Sequence, residues 1–239
     1  MNAHALQHTC VDTALPAMRL VTGKKPSVDE IYPRLLDAIL EQRIQPDSRF
    51  TELSLAQSLG ASRSVIRRVL ARLAEQRIII LQPNIGSQVA APDALQVQHM
   101  LEARRLMEVT VARWACAHGQ PVQFRQLREQ VANHHACIER GQRGAAIRLG
   151  GDFHLQLADM AGNKPLAQFL NRLVPLTSLT VAQRQLQGYC DFACHDHREM
   201  VDALAARDAD EAAALMSRHL DCLKQQLAWD TKNKPSIHT

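Results

Sequence analysis

Residues 61–73, Ala61-Ser62-Arg63-Ser64-Val65-Ile66-Arg67-Arg68-Val69-Leu70-Ala71-Arg72-Leu73, constrain the fold more than any other stretch of this 239-residue chain. Val65, Val69 and Leu73 keep a three-to-four spacing, and Ile66 and Leu70 widen it into an apolar stripe. Arg63, Arg67 and Arg68 fall on the remaining surface, with Ser62 placed to cap the helix start. Just before it, Leu53-Ser54-Leu55-Ala56-Gln57-Ser58-Leu59-Gly60 reads as a short amphipathic helix closed by glycine. Two such helices around a tight turn are the pattern of a helix-turn-helix, whose second helix enters the major groove. A basic amphipathic helix also arises where arginine stems merely cover apolar surface, so the flanking chain decides. Arg77-Ile78-Ile79-Ile80-Leu81 and Ser87-Gln88-Val89-Ala90 flank Gln82-Pro83-Asn84-Ile85-Gly86, a turn-rich segment, and predict a hairpin. A hairpin directly after a recognition helix is a wing. The segment predicts a winged helix-turn-helix that binds DNA.

Residues 28–90 resemble the N-terminal DNA-binding domain of the GntR family of bacterial transcription regulators. The resemblance rests on Ile31-Tyr32-Pro33-Arg34-Leu35-Leu36-Asp37-Ala38-Ile39-Leu40, on Leu55-Ala56 with Leu59-Gly60, on Ser62-Arg63 with Ile66-Arg67 and Leu70, and on Gly86 with Val89. It implies that Arg67 reads guanine edges, where the planar fork of arginine donates two bonds to O6 and N7. It implies that Arg63 contacts bases or backbone, and it makes Ser62, Ser64, Arg68, Arg34 and Gly86 further candidates for the DNA surface. Three departures stand out: a usual Pro-Gly turn is Pro46-Asp47, a usual Val-Arg-Glu-Ala is Ile66-Arg67-Arg68-Val69, and a usual glycine before the wing is Arg77. They bear on which operator is read.

Net charge is only +4, so DNA affinity cannot come from a broadly basic surface. A local patch supplies it instead: between residues 60 and 77, Arg63, Arg67, Arg68, Arg72 and Arg77 meet only Glu75 as an acid. Cys10, Cys116, Cys137, Cys190, Cys194 and Cys222 lack a disulfide-framework spacing, which points to free thiols in a reducing cytosol. No apolar run approaches the roughly 18 residues that span a bilayer, and the expected location is cytoplasmic. Residues 1–26 are expected to form a flexible arm that reaches DNA through Lys24 and Lys25. The DNA-binding domain is expected at 27–91 and a second domain at 92–230, followed by a tail at 231–239.

From 93 to 229 the chain is rich in Ala, Leu, Gln and Arg. Breaks at Gly119-Gln120-Pro121, Gly141-Gln142-Arg143-Gly144, Gly162-Asn163-Lys164-Pro165, Gly188 and Arg207-Asp208 divide it into about six or seven helices. The fold class is therefore mainly α: a winged head with a small β wing, followed by an all-α bundle. Some polar residues fall on its core-facing stripes. Val97, Leu101, Arg104, Glu108, Val111 and Ala115 share one face, as do Ile147, Gly150, His154, Leu157 and Ala158. His197 leads Met200, Val201 and Leu204, and His219 sits between Ala212, Leu215, Met216 and Leu223. One inward histidine is usually a hydrogen-bonded core residue. Three on separate helices point to a shared metal or anion, because neutral imidazole is a favoured ligand of zinc and related ions.

Residues 95–225 resemble the FCD-type ligand-binding domain of the FadR branch of the GntR family. The residues that carry this are Glu102-Ala103-Arg104-Arg105-Leu106-Met107-Glu108, Phe153-His154 with Gly162-Asn163, and His197 followed by His219-Leu220. The resemblance implies a divalent metal (zinc, nickel or manganese) on His154, His197 and His219. In metal-binding members a carboxylate four residues before the first histidine joins them; here that position is Gly150. Asp152 does not substitute simply, since two helical residues rotate about 200°. Arg104 matches an arginine that salt-bridges an effector carboxylate, the plainer alternative being an internal pair with Glu108. The effector-binding set is thus Arg104, His154, His197 and His219, and the effector a small organic acid. Trp114 and Phe153 read as core residues near that pocket. Cys190, Cys194 and His197 form a C-x3-C-x2-H string expected in a loop, with the cysteines incidental.

Two functions follow. The first is a metabolite-responsive transcription regulator, expected to be a repressor, that binds a pseudo-palindromic double-stranded DNA operator as a homodimer and changes DNA affinity when the effector binds. The alternative is a metal-dependent enzyme that activates water on the three-histidine centre. Against it, Glu108 is the one inward carboxylate evident as a base, and the DNA-reading segment would have no purpose.

Overall fold

A computed structural model describes residues 26–46, 48–82, 86–186 and 188–233, with side chains as far as 228. The expectations for the arm through Lys25, for Asp47, for the turn Pro83-Asn84-Ile85 and for the tail from 234 lie outside the described residues. The head comprises α1 (Val28–Leu40), β1 (Arg49–Phe50), α2 (Glu52–Leu59), α3 (Arg63–Glu75), β2 (Ile79–Gln82) and β3 (Gly86–Val89). Ser27 and Glu30 form a capping box at the start of α1, and Thr51 and Ser54 form one at the start of α2. Gly60 closes α2 in the left-handed conformation at φ +64°, and the Ser62 hydroxyl accepts from the Val65 N–H to start α3. Ile31, Leu35 and Ile39 of α1 pack with Leu55, Leu59, Ile66, Val69 and Leu73 in one core under the sheet.

The sheet has three strands where the sequence pattern predicts two. β1 adds to the wing hairpin in the antiparallel order β1-β3-β2, with Arg49 opposite Gln88 and Ile79 opposite Val89. A two-residue strand is too short to leave a period-2 signal. Gly86, at φ +109°, is where it matters: a Cβ there would lie 2.9 Å from the Phe50 carbonyl oxygen.

The bundle comprises α4 (Ala94–His118), α5 (Pro121–Glu139), α6 (Arg143–Met160), α7 (Lys164–Gln183), α8 (Tyr189–Ala205) and α9 (Ala209–Asn233). Each break expected from Gly, Pro or Asp falls between two of these helices, and α9 continues past the expected boundary at 230. Cys190, Cys194 and His197 lie on α8, not in a loop. Gly188, left-handed at φ +67°, stands immediately before that helix.

Head and bundle meet along α1 and α6. The Arg148 guanidinium donates to both Asp37 carboxylate oxygens at 2.6 and 3.2 Å, and to Asp152 at 3.3 Å. Gly144 lets the start of α6 touch α1, since a Cβ there would run into the Asp37 carbonyl and lie 2.7 Å from Glu41 Cγ. Such a bidentate, half-buried pair fixes orientation as well as adding energy.

Arg77, in the position where the resemblance implies glycine, adopts φ +58° at the turn from α3 into the wing. An L-residue there carries about 1–2 kcal/mol of strain that glycine lacks. Arg77→Gly is expected to raise the head's stability to urea by up to about 1 kcal/mol, after the greater entropy of glycine in the unfolded chain is subtracted. A loss of stability would assign the Arg77 side chain a structural contact worth more than the backbone strain.

Candidate functional site

Two sites emerge, one on the surface of the head and one inside the bundle. On α3, Arg63 and Arg67 leave 65% and 68% of their side chains exposed. Arg68 and Ser64 are exposed beside them. Ser62 and Ser64 hydroxyls meet at 3.0 Å. The Arg67 fork is held by Glu52, the first residue of α2, through Nε at 2.9 Å and Nη2 at 3.0 Å. Arg63 reaches the same carboxylate at 3.9 Å. Arg67 keeps the Glu52 carboxyl below its usual range. Sequence reading missed Glu52, because a contact between residues 52 and 67 depends on how the two helices cross. Arg72 stacks over the Tyr32 ring at 3.7 Å and so serves the head's own packing. Arg34 lines a cleft with Asp37, Glu41 and Arg43 of the head and Gln142 and Ala145 of the bundle. Gly86 stands at the start of β3, where it admits β1.

The bundle site is built on Glu108. It is completely buried, and its Oε1 accepts from Arg104 Nε at 2.5 Å. Its Oε2 lies 2.5 Å from His154 Nδ1. Burial alone would raise this carboxyl, but the Arg104 guanidinium and then His154 outweigh it and hold it at about 2. With its Nδ1–H directed at a carboxylate, His154 presents a bare Nε2 to the interior. His219 repeats the arrangement, its Nδ1–H donating to Asp196 at 3.0 Å and its buried Nε2 left without a partner. His197, fully buried and stacked on Phe153 at 4.0 Å between centroids, brings Nε2 within 3.3 Å of His154 Nε2.

The three rings offer ligand nitrogens all within 4.8 Å of one another. Their centroids are 5.0, 5.2 and 5.0 Å apart. Nitrogens in tetrahedral positions about 2.05 Å from a common ion would be about 3.3 Å apart, with ring centroids about 5 Å apart. The His154–His197 nitrogen spacing and the three centroid spacings agree with this, and carboxylates back two of the rings, His154 and His219. The residues present fit a divalent ion.

The sequence-predicted set Arg104, His154, His197 and His219 thus comes together in one place. Two members of its surroundings were missed. Asp196 is a second buried carboxylate, adjacent in sequence to His197 but on the His219 side. His134 of α5 is buried among Phe124, Leu127 and Val131 of the same face. The three-to-four spacing of those residues was the available signal; the neighbouring His135 points outward and masks it. Asp152 faces Arg148 at the head, away from the cluster, as its helical phase requires. Trp114 is partly exposed and borders Gly162, Asn163 and Lys164 at the surface, so it is not part of the buried site. Phe153 is. The five cysteines among the described residues are free thiols.

A winged head joined to an all-α domain with a polar centre defines a one-component DNA-binding regulator. Residues 27–89 match the family described as bacterial regulatory proteins, gntR family, and residues 99–221 match the FCD domain. The chain belongs to the GntR family, in its FCD-containing form, and is a transcription regulator, not an enzyme. Among its relatives are the HTH-type transcriptional repressor RspR of Escherichia coli, 24% identical over 85% of this chain and 90% of the relative. The Uxu operon regulator of Haemophilus influenzae is 22% identical over 74% of this chain and 72% of that protein. The fold matches McbR/YncC of E. coli at a TM-score of 0.66, with 17% identity, over 87% of this chain and 98% of the other. It also matches a GntR transcriptional regulator from Rhodococcus sp. RHA1 at 0.65, with 20% identity, over 84% and 97%.

The buried groups set the acid response. Burial, ahead of neighbouring charge, depresses His134 and His154 to about 4 and His197 further, so each is neutral when folded. The unfolded chain binds those protons first as pH falls below about 6.5, and stability drops from there through pH 4. Glu108, depressed to about 2, adds a loss of the same sign between about 4.5 and 2. Denaturant titration of chelator-treated protein should therefore show stability falling steadily from pH 6.5, at about 1.4 kcal/mol per pH unit for each excess proton bound. A flat profile from pH 6.5 to 4 would contradict the neutral, buried state of the histidines.

Proposed function

We propose that the chain is a metabolite-responsive repressor that binds a pseudo-palindromic operator as a homodimer and releases it when a small organic acid enters the bundle. The observation that carries this is the unpaired, buried Arg104 Nη2 beside three converging imidazoles, on a bundle whose α6 is clamped to the head. A buried guanidinium donor without a partner costs about 1–3 kcal/mol, which an effector carboxylate would offset. His154, His197 and His219 hold a divalent ion of the zinc, nickel or manganese class, which supplies a second attachment point for a chelating acid. Glu108 and Asp196 orient two of those rings, and Glu108 also fixes the Arg104 fork.

The head supplies DNA recognition through Arg67 and Arg63, with Ser62, Ser64, Arg68, Arg34 and Gly86 as supporting positions. Glu52 holds the Arg67 fork extended until guanine replaces it. Leu95, Leu106 and Phe169, large apolar side chains 60%, 75% and 62% exposed, are surface that a second copy of the bundle would cover. No helix among the described residues is long and apolar enough to cross a membrane, and the protein works in the cytoplasm, where its DNA is.

An operator fragment selected from random DNA, titrated by fluorescence anisotropy with and without a panel of small carboxylic acids and zinc, tests the proposal. At least one acid should weaken operator binding about tenfold or more, and Arg104→Lys, which keeps a cation beside the buried Glu108 but lacks the free Nη2 donor, should blunt that response while leaving basal binding intact. Arg67→Ala should cost about 1–3 kcal/mol of operator binding and relax discrimination at one base position. Acids that bind the bundle without shifting operator affinity, or an Arg67→Ala protein with full specificity, would each remove the corresponding half of the account.

A further inference from the structure

The three-histidine centre lacks a fourth protein ligand in the position one turn before His154, because that residue is Gly150. Glycine inside a helix costs about 1 kcal/mol relative to alanine, so the empty position calls for a use. A Cβ built on Gly150 would lie 3.4 Å from His134 Cε1, 3.7 Å from His134 Nε2 and 4.0 Å from His197 Cε1. The ring of His134 therefore projects from α5 into the space that a side chain at 150 would take, beside the triad. His134 is 2% exposed, and neither of its ring nitrogens has a hydrogen-bond partner. Leaving even one buried polar group unsatisfied costs about 1–3 kcal/mol. An imidazole kept in that condition, on the flank of the triad and beside His197 but outside the 4.8 Å span that joins the other three, is placed as a ligand in reserve.

We propose that His134 is the fourth protein ligand of the buried centre, filling from α5 the coordination position that Gly150 leaves without a side chain. This rests on the reading that His154, His197 and His219 hold a divalent ion. The His134 and His197 centroids are 6.0 Å apart, against 5.0 to 5.2 Å within the triad. Its ring must therefore move inward, into the volume left open at Gly150, to complete the set. The resulting ligands are all neutral nitrogens. Glu108, behind His154, is already paired with Arg104, so Asp196 behind His219 offsets one of the ion's charges and an anionic effector would offset the other. Such a donor set selects zinc, nickel or copper over manganese, which prefers oxygen. A carboxylate effector would bring the only oxygen ligands, and nickel, with six positions, has two left for a chelating acid.

The test uses the full-length, chelator-stripped protein, with zinc and nickel as probes. Affinity is measured by competition with a chromophoric chelator, and coordinated imidazoles are counted by X-ray absorption. Wild type should bind one ion per chain with four imidazoles. His134→Phe keeps the ring volume without donor nitrogens; it should retain the thermal transition, lose at least about 100-fold in affinity and show three imidazoles. A 100-fold loss is also the upper end of what removing an outer partner causes, so the imidazole count is the deciding readout. Gly150→Asp combined with His134→Ala should regain about tenfold or more over His134→Ala alone, because the carboxylate enters the vacated space one turn before His154. Wild-type binding with three imidazoles, unchanged in His134→Phe, would overturn the role of His134 and leave the metal reading intact. A folded wild type that takes up neither ion would overturn both.

Discussion

Glu108 is the constraint on which the bundle is organised. A carboxylate with no exposure is tolerated only if cations and N–H donors surround it, and Arg104 and His154 are the groups that do so. Arg104 reaches it one helical turn away on α4; His154 reaches it from α6. The pairing therefore draws α6 against α4, fixes which nitrogen of His154 faces inward, and leaves one Arg104 nitrogen without a partner. The polar centre is a consequence of that one burial. Removing Glu108 would strand a guanidinium in the core, a change of the kind that costs about 3–5 kcal/mol.

The same helix that carries His154 also carries Arg148, two turns earlier in the chain, and Arg148 grips Asp37 on α1 of the head. α6 thus touches both the centre and the DNA-binding domain. A ligand that alters the packing of α6 changes the preferred placement of the head, provided it binds the two arrangements unequally. The close approach at Gly144 makes α1 and α6 a rigid contact, with no side chain to cushion a shift between them.

Much of this was legible in the sequence because it depends on local spacing. The recognition helix, its Ser62 cap, the helix breaks at Gly119, Gly141 and Gly162, and the inward phase of Arg104, His154, His197 and His219 all follow from a 3.6-residue period and turn chemistry. What was missed depends on pairing between distant elements. β1 is strand only because β3 lies beside it, and Glu52 meets Arg67 only because α2 crosses α3 at that point. Asp196 was overlooked since its neighbour His197 carried the apolar stripe. His134 was readable, at the end of the Phe124, Leu127 and Val131 face, but its relation to Gly150 required two helices in place. The string Cys190, Cys194, His197 misled in the opposite direction: its residues lie on α8 and only the histidine enters the cluster.

The central claim is that occupancy of the buried centre is felt at the head. Hydrogen–deuterium exchange of the full-length, chelator-stripped protein, before and after addition of zinc alone, tests it directly. The account predicts slower exchange in α6 and α8 around His154 and His197, together with a change in α1 around Asp37. Protection confined to the bundle, with α1 unaltered, would contradict the link between centre and head, and no change anywhere would contradict the centre itself.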